Sequence, residues 1–311
     1  MENNENVNQP QKKSINDVVN EYKKNSSKNN DSDNIEDKNT AKSTSIPDAG
    51  SYNPNNFQST MEKETDPDLI TTHEIVPLPS KGLLYEHKID KIEVEYMTAK
   101  DEDLLTTPSL IENGTVLDIL LKRKIKTKGI KVEELLPGDK NAILLFLRTS
   151  SYGLEYPVEV SDPRTGTPFK TTADLSKLKY KEISEIPDEN GHFNVYIPMR
   201  KKNVKFRLLS SGEDIQIFNK AEEIKKAYNR EFSEYNTMKL KASIVSIDEK
   251  SDRNYIDRFI DAIPARDSLT IRKKMKDVSP DVDMLYPFVA KDGFKFEANL
   301  TIGIDFFFPE S

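Results

Sequence analysis

His73, His87 and His192 are the only imidazoles in the chain. A metal centre needs ligands that one helix face or one tight turn brings together. These three share no such spacing, and each falls in a loop or at a strand edge. The chain has no cysteine, which removes thiolate ligands, thiol nucleophiles and disulfides. Ser176 and Lys179 fit the S-x-x-K spacing of an acylating serine, but a lysine-rich chain produces such a match by composition alone. The acidic clusters Asp101–Asp103 and Asp281–Asp283 lack the glycine-bearing loop and closing glutamate of a calcium site, and suit caps and turns instead. No phosphate loop, dinucleotide fingerprint or G-x-S-x-G elbow is present. The residues predict a protein without catalysis, cofactor or metal.

The elements that would position any site come from composition and periodicity. Of 311 residues, 35% are hydrophobic and 32% charged, with a formal net charge of −7. The apolar shortfall is concentrated at the N-terminal end, so the remainder can still build a core. An acidic balance argues against nucleic-acid binding as the main activity. The basic run Lys122, Arg123, Lys124, Lys126 and Lys128 ends a predicted helix, where cations complement the dipole, and no interleaved aromatics offer stacking. Met1–Gln11 is polar, and no run approaches the ~20 apolar residues of a membrane helix. The expectation is a soluble cytosolic protein with no targeting segment and no membrane contact.

Residues 1–68 are dominated by Asn, Ser, Lys, Asp and Glu, and such a stretch buries too little apolar surface to offset chain ordering. A disordered tail is expected there. Within it, Ile15, Val18, Val19 and Tyr22 fall on one helix face behind Ser14, as a flickering helix or a docking motif would. Residues 69–180 read as a first helix–hairpin module. It holds a strand around Ile89–Met97, helices Val116–Ile125 and Lys140–Ser150 (the latter capped by Asp139), and a hairpin turning at Asp162–Gly166. Residues 181–311 read as a second module. Its hairpin is Phe193–Pro198 with Val204–Leu209, its helices are Glu213–Tyr228, Asp252–Ala262 and one capped by Asp267, and a last hairpin turns at Lys291–Gly293. Met238–Ile247 reads as helical or mixed. The fold class is α+β, with helices and several β-hairpins. The helix start at Pro137-Gly138-Asp139 and its following hairpin match Pro264-Ala265-Arg266-Asp267 and the last hairpin in order and spacing, as two related modules would.

Three signatures occur together: P-L-P-S-K-G-L-L-Y at Pro77–Tyr85, G-D-x-x-x-I-L-x-x-x-R-x-S-S-Y-G ending at Gly153, and F-F-F-P at Phe306–Pro309. In order and spacing they resemble a family of baseplate proteins from T4-like contractile-tailed phages, over roughly residues 72–310. The resemblance implies a non-enzymatic morphogenesis protein acting in assembly of the central baseplate hub. It would be an assembly factor or chaperone, or else a structural subunit kept in the virion. Its partners would be other hub or tape-measure proteins, met in the cytoplasm of the infected host or in the virion baseplate. Many relatives carry zinc-binding cysteine knuckles at the two hairpin turns. Here Asp162-Pro163-Arg164-Thr165-Gly166 and Val289-Ala290-Lys291-Asp292-Gly293 keep the glycines and lack every thiol, which removes a zinc claim. The signature residues Lys81, Tyr85, Arg148 and Tyr152 are the candidates for partner contact. Phe307 joins them on strand alternation, because Ile302, Ile304, Phe306 and Phe308 would share a core face and leave Phe307 with Gly303 and Asp305 outside.

Overall fold

The computed structural model describes residues 72–308, so the expectations for 1–68, including the Ser14–Lys24 helix, lie outside the described residues. The fold is α+β, built from small antiparallel sheets and short helices. β1 (His73–Pro77) pairs with β2 (Lys91–Glu95), and Val76, Ile92 and Val94 turn inward. Gly82 makes the turn between them at φ 68, where a Cβ would lie 2.6 Å from the Ile89 carbonyl; glycine alone tolerates both conditions.

Helices α1 (Ala99–Leu105), α2 (Pro108–Glu112) and α3 (Val116–Lys124) follow. The predicted apolar face of α3 ends on Lys124, which is buried because its ammonium pairs with buried Asp101 at 2.5 Å. α4 (Pro137–Tyr152) starts earlier than expected. Leu136 is its cap and Pro137 its first residue, a position where proline loses no hydrogen bond. Gly138 lies so near Pro280 that an added Cβ would stand 2.0 Å from its carbonyl oxygen. Asp139 is thus inside the first turn, free to reach elsewhere.

β3 (Glu155–Ser161) and β4 (Pro168–Asp174) form the expected hairpin, and β5 (Lys179–Lys181) pairs with the distant β9 (Asp281–Asp283). β6 (His192–Ile197) and β7 (Lys202–Arg207) form the next hairpin. α5 (Ser211–Ala227) carries a full capping box, with Ser210 and Glu213 each satisfying the other's backbone N–H. The mixed segment resolves into α6 (Tyr235–Ser243) and β8 (Ile244–Ile247), which joins β7 as a third strand. α7 (Arg253–Asp261) is capped by Asp252, whose side chain accepts from Tyr255 N–H. α8 (Ala265–Val278) starts two residues before Asp267, the same offset as α4 and Asp139. β10 (Leu285–Val289) and β11 (Lys295–Asn299) close the last hairpin.

Two apolar clusters hold these elements. The first gathers Val76, Ile92, Leu120, Ile143, Leu147, Leu175, Phe288 and Phe306. The second gathers Phe193, Val204, Phe206, Ile244, Ile256, Ile260 and Ile271. The expected boundary near residue 180 cuts across the first cluster, since Val282, Tyr286, Leu300 and Phe307 return to it from the far side. The β3–β4 and β10–β11 hairpins meet there. Phe169 packs edge-on against Phe296 with centroids 6.2 Å apart, and Tyr286 O–H receives the N–H of Asp174 at 3.0 Å.

The terminal aromatic segment departs from expectation. Ile304–Phe307 is a 3-10 turn, where side chains follow a period of three and strand alternation fails. Phe306 and Phe307 are both fully buried, with centroids 5.8 Å apart, while Phe308 is 39% exposed. Phe307 is therefore a core residue and not an outward anchor.

Candidate functional site

The second signature forms α4, and the first and third signatures meet its opposite ends. At its N-terminal end Asp139, buried among apolar side chains, accepts the Ser80 N–H at 2.9 Å on one carboxylate oxygen and the Tyr85 hydroxyl on the other. The same hydroxyl receives Leu136 N–H at 2.9 Å. Burial pushes the Asp139 carboxyl above its ordinary value, against the hydrogen bonds from Ser80 and Tyr85. Burial, with the Asp139 charge beside it, also raises the Tyr85 phenol, which therefore stays a donor. The P-S-K-G-L-L-Y loop is pinned this way because a buried carboxylate at a helix N-terminus must find donors.

At the other end Arg148 points inward. Its guanidinium donates to the carbonyls of Phe306 at 2.7 Å, Gly153 at 3.2 Å and Glu155 at 3.3 Å. The rings of Tyr152 and Tyr156 flank it at 5.1 and 5.7 Å. Among the described residues no carboxylate pairs with Arg148 in this cage; burial lowers its pKa, and the arginine stays charged regardless. Tyr152 is half-buried and donates to Glu102 at 2.9 Å; burial first, then Glu102, raises its phenol to about 12.

Of the five residues singled out in the sequence, four are held by internal contacts. Tyr85 and Arg148 are buried pins, Tyr152 covers Arg148, and Phe307 is core. Lys81 alone stands well exposed, in a left-handed backbone conformation at φ 53, and pairs with Glu182. Sequence reasoning missed the buried Asp139, which it took for a cap. It also missed its counterpart Asp267, which accepts Met199 N–H at 2.8 Å and Arg200 N–H at 2.9 Å. The signal was present in both cases: proline two or three residues before the aspartate already accounts for the helix start.

The two hairpin turns lie against each other. Arg164 donates at 2.7 Å to both Asp162 and Asp292, and its guanidinium lies 3.9 Å from the centre of the Phe294 ring. The Arg164 hydrogen bonds hold both carboxyls below the usual range. A guanidinium thus ties the turns where a metal would require thiols. His73 pairs with Glu93 at 2.8 Å on the surface, and no three His, Asp or Glu side chains converge as a metal site among the described residues. Nor is any described helix long and apolar enough to cross a membrane.

The surface is where apolar side chains remain unspent. Ile75 and Leu154 line one groove, and Tyr228 and Phe232 stand out between α5 and α6. No curated protein and no solved structure matches the chain. A family model described as T4 bacteriophage base plate protein does match, over residues 71–308. That span contains both pinned signatures, both hairpins and the aromatic terminus. The chain belongs to the T4 bacteriophage base plate protein family.

Proposed function

We propose that this protein is a non-enzymatic assembly factor for the central hub of the baseplate. It engages hub or tape-measure proteins in the cytoplasm of the host while the baseplate is built. The observation that carries this reading is how the signature residues are used. Tyr85, Asp139 and Arg148 hold the chain to itself, while exposed Ile75, Leu154, Tyr228 and Phe232 are left for contact. A scaffold of this kind supplies binding surface and no chemistry.

Mass spectrometry of purified virions beside lysate of the producing cells tests it. An assembly factor is present in lysate and absent from particles. Stoichiometric copies in particles would identify a retained structural subunit instead.

A further inference from the structure

Among the described residues, β1 is the unpaired edge of a two-stranded ribbon. Tyr96 N–H donates to Thr72 O, and Leu78 N–H donates to Asp90 O. In an antiparallel ladder, alternate residues face the partner strand. The even-numbered residues therefore face β2, and the backbone groups of His73 and Ile75 and the carbonyl of Pro77 face away. No hydrogen bond reaches these outward groups from any described residue. The outer edge of β2 is covered, by contrast: Lys126 N–H donates to Glu93 O, and Glu93 N–H donates to Thr127 Oγ1.

The open edge borders a groove of about 590 Å³ whose opposite wall is β5. The walls converge where Ile183 N–H donates to Pro79 O. Leu145, Phe146, Leu175 and Leu178 line it, and Ile75 and Leu154 stand 60% and 50% exposed at its rim. Glu74 and Glu182 on the walls are balanced by Lys179 and by Lys81, which pairs with Glu182.

We infer that this groove captures an extended segment of a partner protein, added as a strand to β1. An outward row of backbone donors and acceptors is satisfied only by another extended chain. The apolar lining selects apolar side chains at alternate positions, and the balanced walls select a segment without net charge. A second copy of this chain is disfavoured, because it would bring two bodies of formal net charge −7 together. The inference deepens the assembly reading by naming the surface and the partner chemistry that it rests on.

The test places a photo-crosslinking benzoylphenylalanine at Leu154 of the full chain, in cells assembling baseplates. The expected product joins Leu154 to one segment of another baseplate protein, neutral and apolar at alternate positions. Ile75→Pro removes a groove-facing N–H and leaves the β1–β2 bonds of the even-numbered residues. It should lower the yield about tenfold, as loss of one backbone hydrogen bond from the interface does, with the melting temperature held. Should Ile75→Pro fail to fold, Tyr180→Arg on the opposite wall blocks the groove without touching the edge and should lower the yield equally. A cross-link to a second copy, no cross-link, or an undiminished yield in the folded variant overturns the inference. A protein found in lysate only, with no groove cross-link, loses this inference and keeps the assembly reading. A groove cross-link in a protein retained in particles does the reverse.

Discussion

The two apolar clusters are closed in different ways. The first is assembled from both ends of the described chain, so polar groups 158 residues apart must be matched inside it, as the Arg148 guanidinium and the Phe306 carbonyl are. The second is drawn from a nearly continuous stretch, Phe193 to Val278, and is closed by the β6–β7–β8 sheet and its helices, with Asp267 holding one turn. Long-range closure brings polar backbone into the interior and needs buried polar pins. Local closure satisfies backbone within hairpins and helices and needs few.

The largest effect should come from the terminal turn. Phe307→Ser empties a fully buried site in the first cluster and should cost about 3–5 kcal/mol, a large part of a domain's stability. Phe308→Ser, at a half-exposed position, should leave a folded protein. Chemical denaturation of both decides it; the opposite ranking would put the terminus outside the core.

Asp139→Ala comes next. It strands the Ser80 N–H and the Tyr85 hydroxyl in a dry site, and roughly 2–4 kcal/mol should be lost. The equivalent Asp267→Ala should cost less, about 1–2 kcal/mol, since Met199 and Arg200 lie at the surface where water can replace the carboxylate. Equal losses would erase the contrast between the clusters.

The pH dependence sharpens the same contrast. The folded Asp139 carboxyl titrates above its unfolded value, so the folded protein keeps a proton that the unfolded chain has already lost. Its contribution is full below the ordinary carboxylate value of about 3.9 and declines as pH rises through the folded value. The melting temperature of Asp139→Asn should therefore gain on that of the unmodified protein as pH rises through this window. A gap independent of pH would mean that the carboxyl is not desolvated.

The smallest effect belongs to the outer staple. Arg164→Gln cuts both turn contacts, to Asp162 and Asp292, in a solvated setting. A slight fall in melting temperature, vanishing at high salt, is expected. A fall that salt leaves untouched would show that stacking on Phe294, and not charge, joins the hairpins.

Most elements were legible in the sequence because their signals are local. Alternation marked β2 and β3, the helical stripe marked α7, and glycine marked the turns. The caps were legible only in part. α7 is capped by Asp252, one residue beyond the Ser251 that the sequence suggests, and Asp139 and Asp267 do not cap, because a proline at the first position or the cap of each helix had already set its start. Alternation misplaced Phe307 because it presumes a strand, and the last residues wind into a 3-10 turn that buries two adjacent rings.

The sequence by itself determined the α+β class, the hairpins and helices, and the family signatures. Each of these depends on neighbours within one or two turns of chain. Only the tertiary structure decided that Tyr85, Asp139 and Arg148 face inward and that β1 keeps an open edge. A buried polar group takes its partner from whatever remote segment chain closure delivers. A strand edge is open or covered according to where another element comes to rest. Neither is written in local periodicity.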